Sequence, residues 1–225
     1  MEIPSMLAAI GEVDGCAVLD AGCGTGVYAR LLARRGADRV VGVDAAEGML
    51  AVARALENQA PLGIDYRAGD ISLAHGLGAD LVVAVYLLPY ARTASELLAV
   101  CQGLAASLRP GGRLVTAVLN PDYSDDPAWY THYGFSLTSN GHREEGAPVV
   151  LSVVENSLVF EVTARYHSRQ AMDSALSQAG FTDITWTAPH ASPAGIQQHG
   201  QEFWANYLTC PHTVIVTARL PQSDA

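Results

Sequence analysis

The sequence predicts an α/β fold built on a doubly wound, mostly parallel sheet, and three observations carry that expectation. Short β-branched runs alternate with helical stretches over the first two-thirds of the 225 residues, the pattern of a parallel sheet covered by helices. A glycine-rich run, Gly22-Cys23-Gly24-Thr25-Gly26, separates the first strand from the helix that follows it. The stretch 80–85 is apolar nearly throughout, as a central strand buried on both faces requires.

The elements follow in order. Residues 17–20 form a first strand, and 27–35 show the helical period, with Val27, Leu31 and Leu32 on one face and Gly36 as C-cap. A second strand over 39–43 ends at Asp44, and a helix over 47–56 is followed by Pro61. A third strand over 64–67 ends near Gly69-Asp70, and 80–85 is the fourth. The helix over 95–108 stops at Arg109-Pro110-Gly111-Gly112, a turn that cannot continue it, and 113–119 is the fifth strand.

The rhythm then changes. Residues 121–146 are rich in Asp, Ser, Gly, His and aromatic side chains and have no clear period; a connection this long in a compact domain is usually a lid or binding loop. Two β-branched runs, 149–154 and 158–164, flank Glu155-Asn156-Ser157 as an antiparallel hairpin. A helix over 168–179 is capped by Gly180, and strands over 182–187 and 213–220 are separated by a loop rich in Pro, Gly, His and Gln. The expected architecture is a Rossmann-like sheet, mostly parallel with an antiparallel last strand. A small lid carrying a β-hairpin is inserted after the fifth strand. Three parts result: a cofactor-binding core over 1–119, a lid for substrate recognition over 120–167, and the C-terminal part of the core sheet over 168–225.

Composition excludes several function classes. A net charge of −10 opposes nucleic acid as a partner, because a polyanion needs clustered basic residues to release its counterions. All 13 basic residues are arginine, which rules out lysine Schiff-base chemistry and the lysine of P-loop nucleotide sites. Cys16, Cys23, Cys101 and Cys210 form no CxxC pair and no cluster at metal-ligand spacing; they are expected to be small buried hydrophobes, and no metal is expected. No window has the apolar length a membrane span needs. The segment 1–10 lacks a basic head and is interrupted by Glu2 and Pro4, so it is not a signal peptide and a cytoplasmic protein is expected.

The glycine run lies between a strand and a helix, where glycines bring the backbone against a ligand and the helix N-terminus offers unpaired N–H groups. Its spacing is G-x-G-x-G. A dinucleotide fingerprint places its third glycine one residue later, where this chain has Val27. Three carboxylates, Asp20, Asp44 and Asp70, stand at or near strand ends in register with this loop; the plain alternative is that they simply face solvent.

Residues 18–26, together with Asp44, Asp70 and Leu108-Arg109-Pro110-Gly111-Gly112, resemble class I S-adenosylmethionine (SAM)-dependent methyltransferases over about residues 13–119. The insertion and its hairpin resemble the lid of bacterial methyltransferases acting on small natural products. Tyr166-His167-Ser168 and Gly180-Phe181 are similar, loosely, to toxoflavin-type N-methyltransferases. The resemblance implies SAM as cofactor, S-adenosylhomocysteine (SAH) as product, and a cofactor site of Asp20, Gly22, Gly24, Gly26, Asp44, Ala45, Met49, Asp70, Ile71 and Tyr86. Asp44 accepts from the ribose hydroxyls, since two carboxylate oxygens suit a vicinal diol. Asp70 and the Ile71 backbone meet the adenine, and Asp20 lies beside the cationic amino group. Ala45 and Met49 line the ribose and adenine pocket, although Met49 fits helix core equally well. Val85 and Tyr86 pass beneath the methionine arm, and Tyr28 covers the cofactor or simply packs.

The acceptor side is expected at the ends of the fourth and fifth strands and in the insertion. Of the Asn/Asp-Pro-Pro-Tyr motif of amino-group and DNA methyltransferases, only Pro89-Tyr90 survives here, which counts against DNA adenine methylation. Tyr90, Trp129, Tyr130, Tyr133, His142 and Trp204 are expected to bind substrate, with Phe135, His199 and Tyr207 beside them. Aromatic residues at this density suit a flat or apolar ligand. His132 is the expected general base, with His142 and His167 behind it. The implied function is methyl transfer to an O or N atom of a small, flat or aromatic metabolite in secondary metabolism, by a monomer or homodimer with no nucleic-acid or membrane partner. Two alternatives stand: an NAD-dependent oxidoreductase, disfavoured by Val27, Asp20 and the absence of lysine, and a catalytically silent SAM-binding partner protein.

Overall fold

A computed structural model of the chain describes residues 1–73, 76–139, 143–155 and 158–222. The β-branched runs of the first half become β1 (Ala17–Ala21), β2 (Arg39–Asp44), β3 (Asp65–Ala68), β4 (Ala79–Val85) and β5 (Leu108–Leu119). The helices between them are α2 (Val27–Arg34), α3 (Glu47–Gln59) and α4 (Ala94–Ser107), and an N-terminal α1 (Glu2–Ile10) precedes β1. The C-terminal third adds α5 (Arg169–Gln178), β9 (Thr182–Thr187), α6 (Pro193–His199), α7 (Gln201–Thr209) and β10 (Thr213–Arg219). Seven strands form one sheet in the order β3-β2-β1-β4-β5-β10-β9. The first five run parallel, and β10 is antiparallel to both β5 and β9, so the expected antiparallel last strand is found.

Alternation along each central strand builds two apolar layers. Leu19, Val41, Val82 and Ala84 face α4 and α5, where Leu97, Leu104, Met172 and Leu176 meet them. Val18, Val40, Leu81 and Val83 face the other way, against Met6 and Ile10 of α1, Ala29 and Leu32 of α2, and Leu50 and Ala53 of α3. A strand covered on both faces loses the apolar–polar alternation of a surface strand, which is why 80–85 reads as apolar nearly throughout. The strand order reverses between β1 and β4, and open α/β sheets bind ligands in the crevice at such a switch point.

A second, three-stranded antiparallel sheet lies between β5 and α5. It comprises β6 (Phe135–Ser139), β7 (Pro148–Glu155) and β8 (Leu158–Arg165) in that order. The expected hairpin is its β7–β8 pair; β6 was hidden in the segment without a clear period. A third apolar cluster ties this sheet to the main one through Leu119, Tyr123, Tyr130, Leu137, Val149, Tyr166 and Tyr207.

Two expectations are corrected. The residues between β9 and β10 are not an open loop but contain α6 and α7, with Ser192 accepting from the Gly195 N–H as N-cap and Pro193 in the first turn. The Arg109–Gly112 turn is a bulge inside β5: Ala79 pairs with Leu108 and Leu81 with Arg113, leaving Asp80 alone opposite four residues. Asp80 fastens that bulge by accepting from the Arg109 guanidinium and the Ala17 N–H. Of the cysteines, all free, Cys23 and Cys101 are buried while Cys16 and Cys210 are half-buried. Among the described residues, no helix is long and apolar enough to cross a membrane.

The close approach of α4 to the short 3-10 turn Ile71–Leu73 depends on Gly103, where a β-carbon would stand 1.8 Å from the Ile71 carbonyl oxygen. Gly103→Ala is expected to destabilise the fold by about 1–3 kcal/mol, the range for an overpacked site. Chemical denaturation of the two proteins measures it; an unchanged midpoint contradicts the packing described.

Candidate active site

The loop from β1 to α2 must turn within five residues and still satisfy its backbone. Gly22 and Cys23 donate their N–H groups to the Val43 carbonyl at 2.8 and 3.0 Å. The Gly24 N–H donates to Asp44 Oδ2 at 2.7 Å, and the Ala46 N–H donates to Asp44 Oδ1 at 2.8 Å. Gly24 has φ +53° and Gly26 φ +82°, conformations that glycine adopts without the Cβ penalty. The two differ in what surrounds them. A β-carbon on Gly26 would lie 2.2 Å from the Tyr66 hydroxyl, whereas one on Gly24 meets nothing within 4 Å and would project into open space. Gly26 is thus required by packing, and Gly24 keeps a ligand cradle clear.

Around this cradle stand the strand-end carboxylates. Asp44 is half-buried. Asp70 is exposed and accepts from the Ser72 N–H at 2.9 Å. The Ile71 side chain is buried in the core, so only its backbone is available to a ligand. Ala45 is exposed, and Met49 is 50% exposed while Leu50 is fully buried; that overturns the helix-core alternative for Met49. Asp20 is 2% exposed and accepts from the Ala29 N–H at 2.8 Å. Burial raises its pKa to about 7; the Ala29 N–H works against this shift and the charge of Asp44 adds to it.

The end of β4 leads into a strained residue, Tyr86, whose φ of +55° is unusual for a side chain of this size. Its hydroxyl donates to Glu2 Oε2 at 2.8 Å and lies 3.2 Å from His212 Nε2. The Tyr28 hydroxyl donates to the other oxygen of Glu2 at 3.1 Å, so Tyr28 packs against α1. His212 Nδ1 lies 2.7 Å from the Tyr207 hydroxyl. Burial lowers the His212 pKa to about 4 and pushes the Tyr86, Tyr28 and Tyr207 hydroxyls above the usual phenol range. Neither Glu2 nor His212 was among the expected site residues. His212 had one available signal: it immediately precedes β10, whose Thr213 pairs with Leu119 at the end of β5.

The acceptor-side residues are divided. Tyr130 is fully buried, donating to the Cys210 carbonyl and accepting from the Ser124 N–H; it holds the lid together and has no open face. Tyr133 is half-buried, donates to the Phe203 carbonyl and accepts from the Tyr207 N–H. Trp204 donates to the Gly195 carbonyl and stacks on Tyr133. His132 is exposed, its ring 4.9 Å from that of Phe203, and His199 lies against the same ring at 4.7 Å. Tyr90 is 59% exposed. Trp129 is half-buried, and its indole nitrogen is buried without a hydrogen-bond partner. His167 is buried with both ring nitrogens engaged, near the Ala91 carbonyl and Glu145. His142 lies outside the described residues.

This fold is that of the class I SAM-dependent methyltransferases. Residues 18–112 match a family model described as a methyltransferase domain. The chain is 39% identical over 116 residues to a ubiquinone biosynthesis O-methyltransferase of Roseobacter denitrificans, a match covering 51% of this chain and 45% of that protein. It thus spans less than half the length of that curated relative. Among solved structures it is similar to a SAM-dependent methyltransferase from Mesorhizobium loti, with 25% identity and a TM-score of 0.68 over 97% of both chains. A SAM-bound amino pentose methyltransferase from Micromonospora echinaspora shares the fold, at 24% identity and a TM-score of 0.59 over 95% of this chain and 86% of that one. SAM is the cofactor of this fold, and the residues here fit it: the open cradle at Gly24 admits a ligand beside the backbone. The buried Asp20 carboxylate suits a cation, and the NAD-dependent alternative is set aside.

Because Asp20 titrates higher when folded, the folded protein keeps this proton between about pH 4 and pH 7, where the unfolded chain has lost it. The stability gained from protonation is full below about pH 4 and lost as the pH rises through about 7, on the order of 4 kcal/mol. Asp20→Asn, which keeps an acceptor for the Ala29 N–H, is expected to remove that loss. Denaturant melts of both proteins at acid and alkaline pH test this, and parallel pH profiles would refute it.

Proposed function

We propose that this protein is an enzyme that transfers the methyl group of SAM to an O or N atom of a small, flat or aromatic metabolite. The observation that carries the reading is the meeting of two structures at one end of the sheet: the glycine cradle with its three carboxylates, and an aromatic group packed over Leu119 at the end of β5. SAM, when bound, supplies an electrophilic methyl group on a sulfonium, and its transfer is an in-line displacement.

The chain's own residues hold and align the reactants. Gly22, Gly24 and Gly26 bring the backbone close, and Asp44 has acceptor capacity beyond its two backbone bonds for the ribose hydroxyls. Asp70 and the Ile71 backbone serve the adenine, Ala45 and Met49 line its pocket, and Asp20 faces the ammonium group. Tyr86 marks the boundary with the acceptor. Tyr90, Trp129, Tyr133 and Trp204 form the substrate wall, with Tyr130 supporting it from behind. Water exclusion and alignment of nucleophile, methyl and sulfur are the main work. The base is His132, exposed on the lid.

The same reading divides the chain into a cofactor core over 1–119, a lid over 120–167 and a returning core segment over 168–225. The three-stranded sheet falls wholly within the middle part, which supports the division. An O-acceptor is supported by the name of the ubiquinone biosynthesis relatives. The setting is secondary metabolism in the cytoplasm, with the protein a monomer or homodimer, and its negative charge argues against nucleic acid.

Titration calorimetry with SAM and SAH tests the reading, and binding of neither at high concentration refutes it. Asp44→Ala is expected to weaken SAH by about 1–3 kcal/mol, the scale of a charged acceptor losing its partners. His132→Ala is expected to leave SAH affinity unchanged and slow turnover; full activity would remove the base assignment.

A further inference from the structure

Methyltransferase chemistry as described above makes no use of α1, yet the first residue of that helix enters the site. α1 is fixed by Met6 and Ile10, both fully buried. Ser5 adds a pair of hydrogen bonds with the backbone of His190: its hydroxyl donates to the carbonyl at 3.1 Å and accepts from the N–H at 2.9 Å. Glu2 is thereby carried to a defined place. One of its oxygens receives Tyr28, two residues past the glycine loop, and the other receives Tyr86, one residue past β4. These two junctions border the strand-order reversal, so the carboxylate spans the crevice where the ligands meet.

The hydrogen bonds around Glu2 have one consistent direction. An ionised carboxylate only accepts, so Tyr86 donates its hydrogen to Glu2 and its oxygen accepts from His212 Nε2–H. A neutral His212 then has an unprotonated Nδ1, which accepts from the Tyr207 hydroxyl. Three donors in series point at Glu2, with the tautomer following from the network. The head of the chain therefore presents accepting oxygens and no hydrogen. Glu2 is half-buried, and Asp20 is a second, buried carboxylate near enough to act on Tyr28. Among the described residues neither Glu2 nor Asp20 forms an ion pair with an arginine or histidine, and the sequence has no lysine.

We propose that Glu2 is the acceptor-binding residue of this enzyme and that the acceptor is a protonated amine. One carboxylate meets the cofactor's ammonium group and the other meets that of the substrate. An anionic acceptor is repelled here, and a neutral hydroxyl offers a hydrogen bond but no charge to match. The ammonium first gives one proton to the base, His132, leaving a neutral amine and an imidazolium. The nitrogen lone pair then forms the bond to the methyl carbon as the carbon–sulfur bond breaks, its electron pair staying on sulfur and the positive charge passing to nitrogen. This assignment rests on the methyltransferase reading of the site.

The test uses SAH-loaded protein and two probes of one shape, benzylamine and benzyl alcohol, in titration calorimetry. Wild-type protein is expected to prefer the amine by about tenfold or more at neutral pH, as a partly buried charge pair allows. Glu2→Gln is expected to abolish the preference while SAH affinity stays within about twofold. Glu2→Asp, which keeps the charge, is expected to restore part of it, and equal melting temperatures establish that all three proteins are folded. No preference in the wild type, no amine binding, or a preference that survives in Glu2→Gln overturns the proposal. Failure of the wild type to bind SAH overturns the methyltransferase reading instead.

Discussion

The glycine turn after β1 is held by groups it does not contain. Its backbone donors point away from any regular hydrogen-bond ladder, and a buried N–H without a partner is costly. β2 supplies the partners: the Val43 carbonyl for Gly22 and Cys23, and the Asp44 carboxylate for Gly24. This works because β1 and β2 pair in a register that sets Ala21 opposite Val43. A slip of one residue would turn Asp44 to the other face of the sheet. The start of α2, the Ala29 N–H that reaches Asp20, and the position of Tyr28 all follow from the shape this clamp imposes.

From there the site is a matter of which charges burial permits. An isolated buried carboxylate is unfavourable unless it is protonated or meets a cation. Asp20 has one backbone donor and no ion pair, so in the free protein it holds its proton more tightly than an exposed aspartate does. His212 resolves the same problem in the opposite sense, by remaining neutral. That neutrality gives the Tyr207–His212–Tyr86 series its single direction and commits the Tyr86 hydrogen to Glu2. Strain at Tyr86 is consistent with this role. A left-handed bulky residue costs of order 1–3 kcal/mol and persists where its surroundings over-determine it, and here a carboxylate and a stacked imidazole do so.

β1 to β4 were legible in the sequence to within a residue because burial on two faces writes itself into composition, whereas β5 begins five residues before its expected start. Asp20, Asp44 and Asp70 stood out in the sequence because each lies in or near the end of a readable strand. Other parts left weaker marks. Phe135 and Leu137 do alternate with polar residues in β6, but five residues are too few to stand out among loop-forming neighbours. Ser192-Pro193 is a proper helix start, masked by Gly195 and Gly200 nearby. Glu2 left none and His212 little: they meet Tyr86 across 84 and 126 residues of chain. Tyr130 shows a different limit. Aromatic density in the insertion was taken as a platform for substrate. Much of it instead fills the lid's own core, because a three-stranded sheet with an exposed outer strand cannot bury enough by itself.

This division bears on where specificity lies. In the function proposed above, the cofactor half of the site is assigned to 18–112, the stretch that matches the family model. The acceptor half is assigned mainly to α1, the insertion after β5 and the helices between β9 and β10, which lie outside that stretch. Among the contacts between these parts, Tyr28 and Tyr86 both meet Glu2, and Tyr86 also meets His212. Such a construction lets acceptor-side segments change while the carboxylates and glycines that hold the cofactor stay as they are, as a function grafted onto a widely used fold requires. It also explains why recognising the fold does not name the substrate. On that proposal Glu2 and the aromatic residues of the lid, which meet the acceptor, lie outside the stretch that matches the family model.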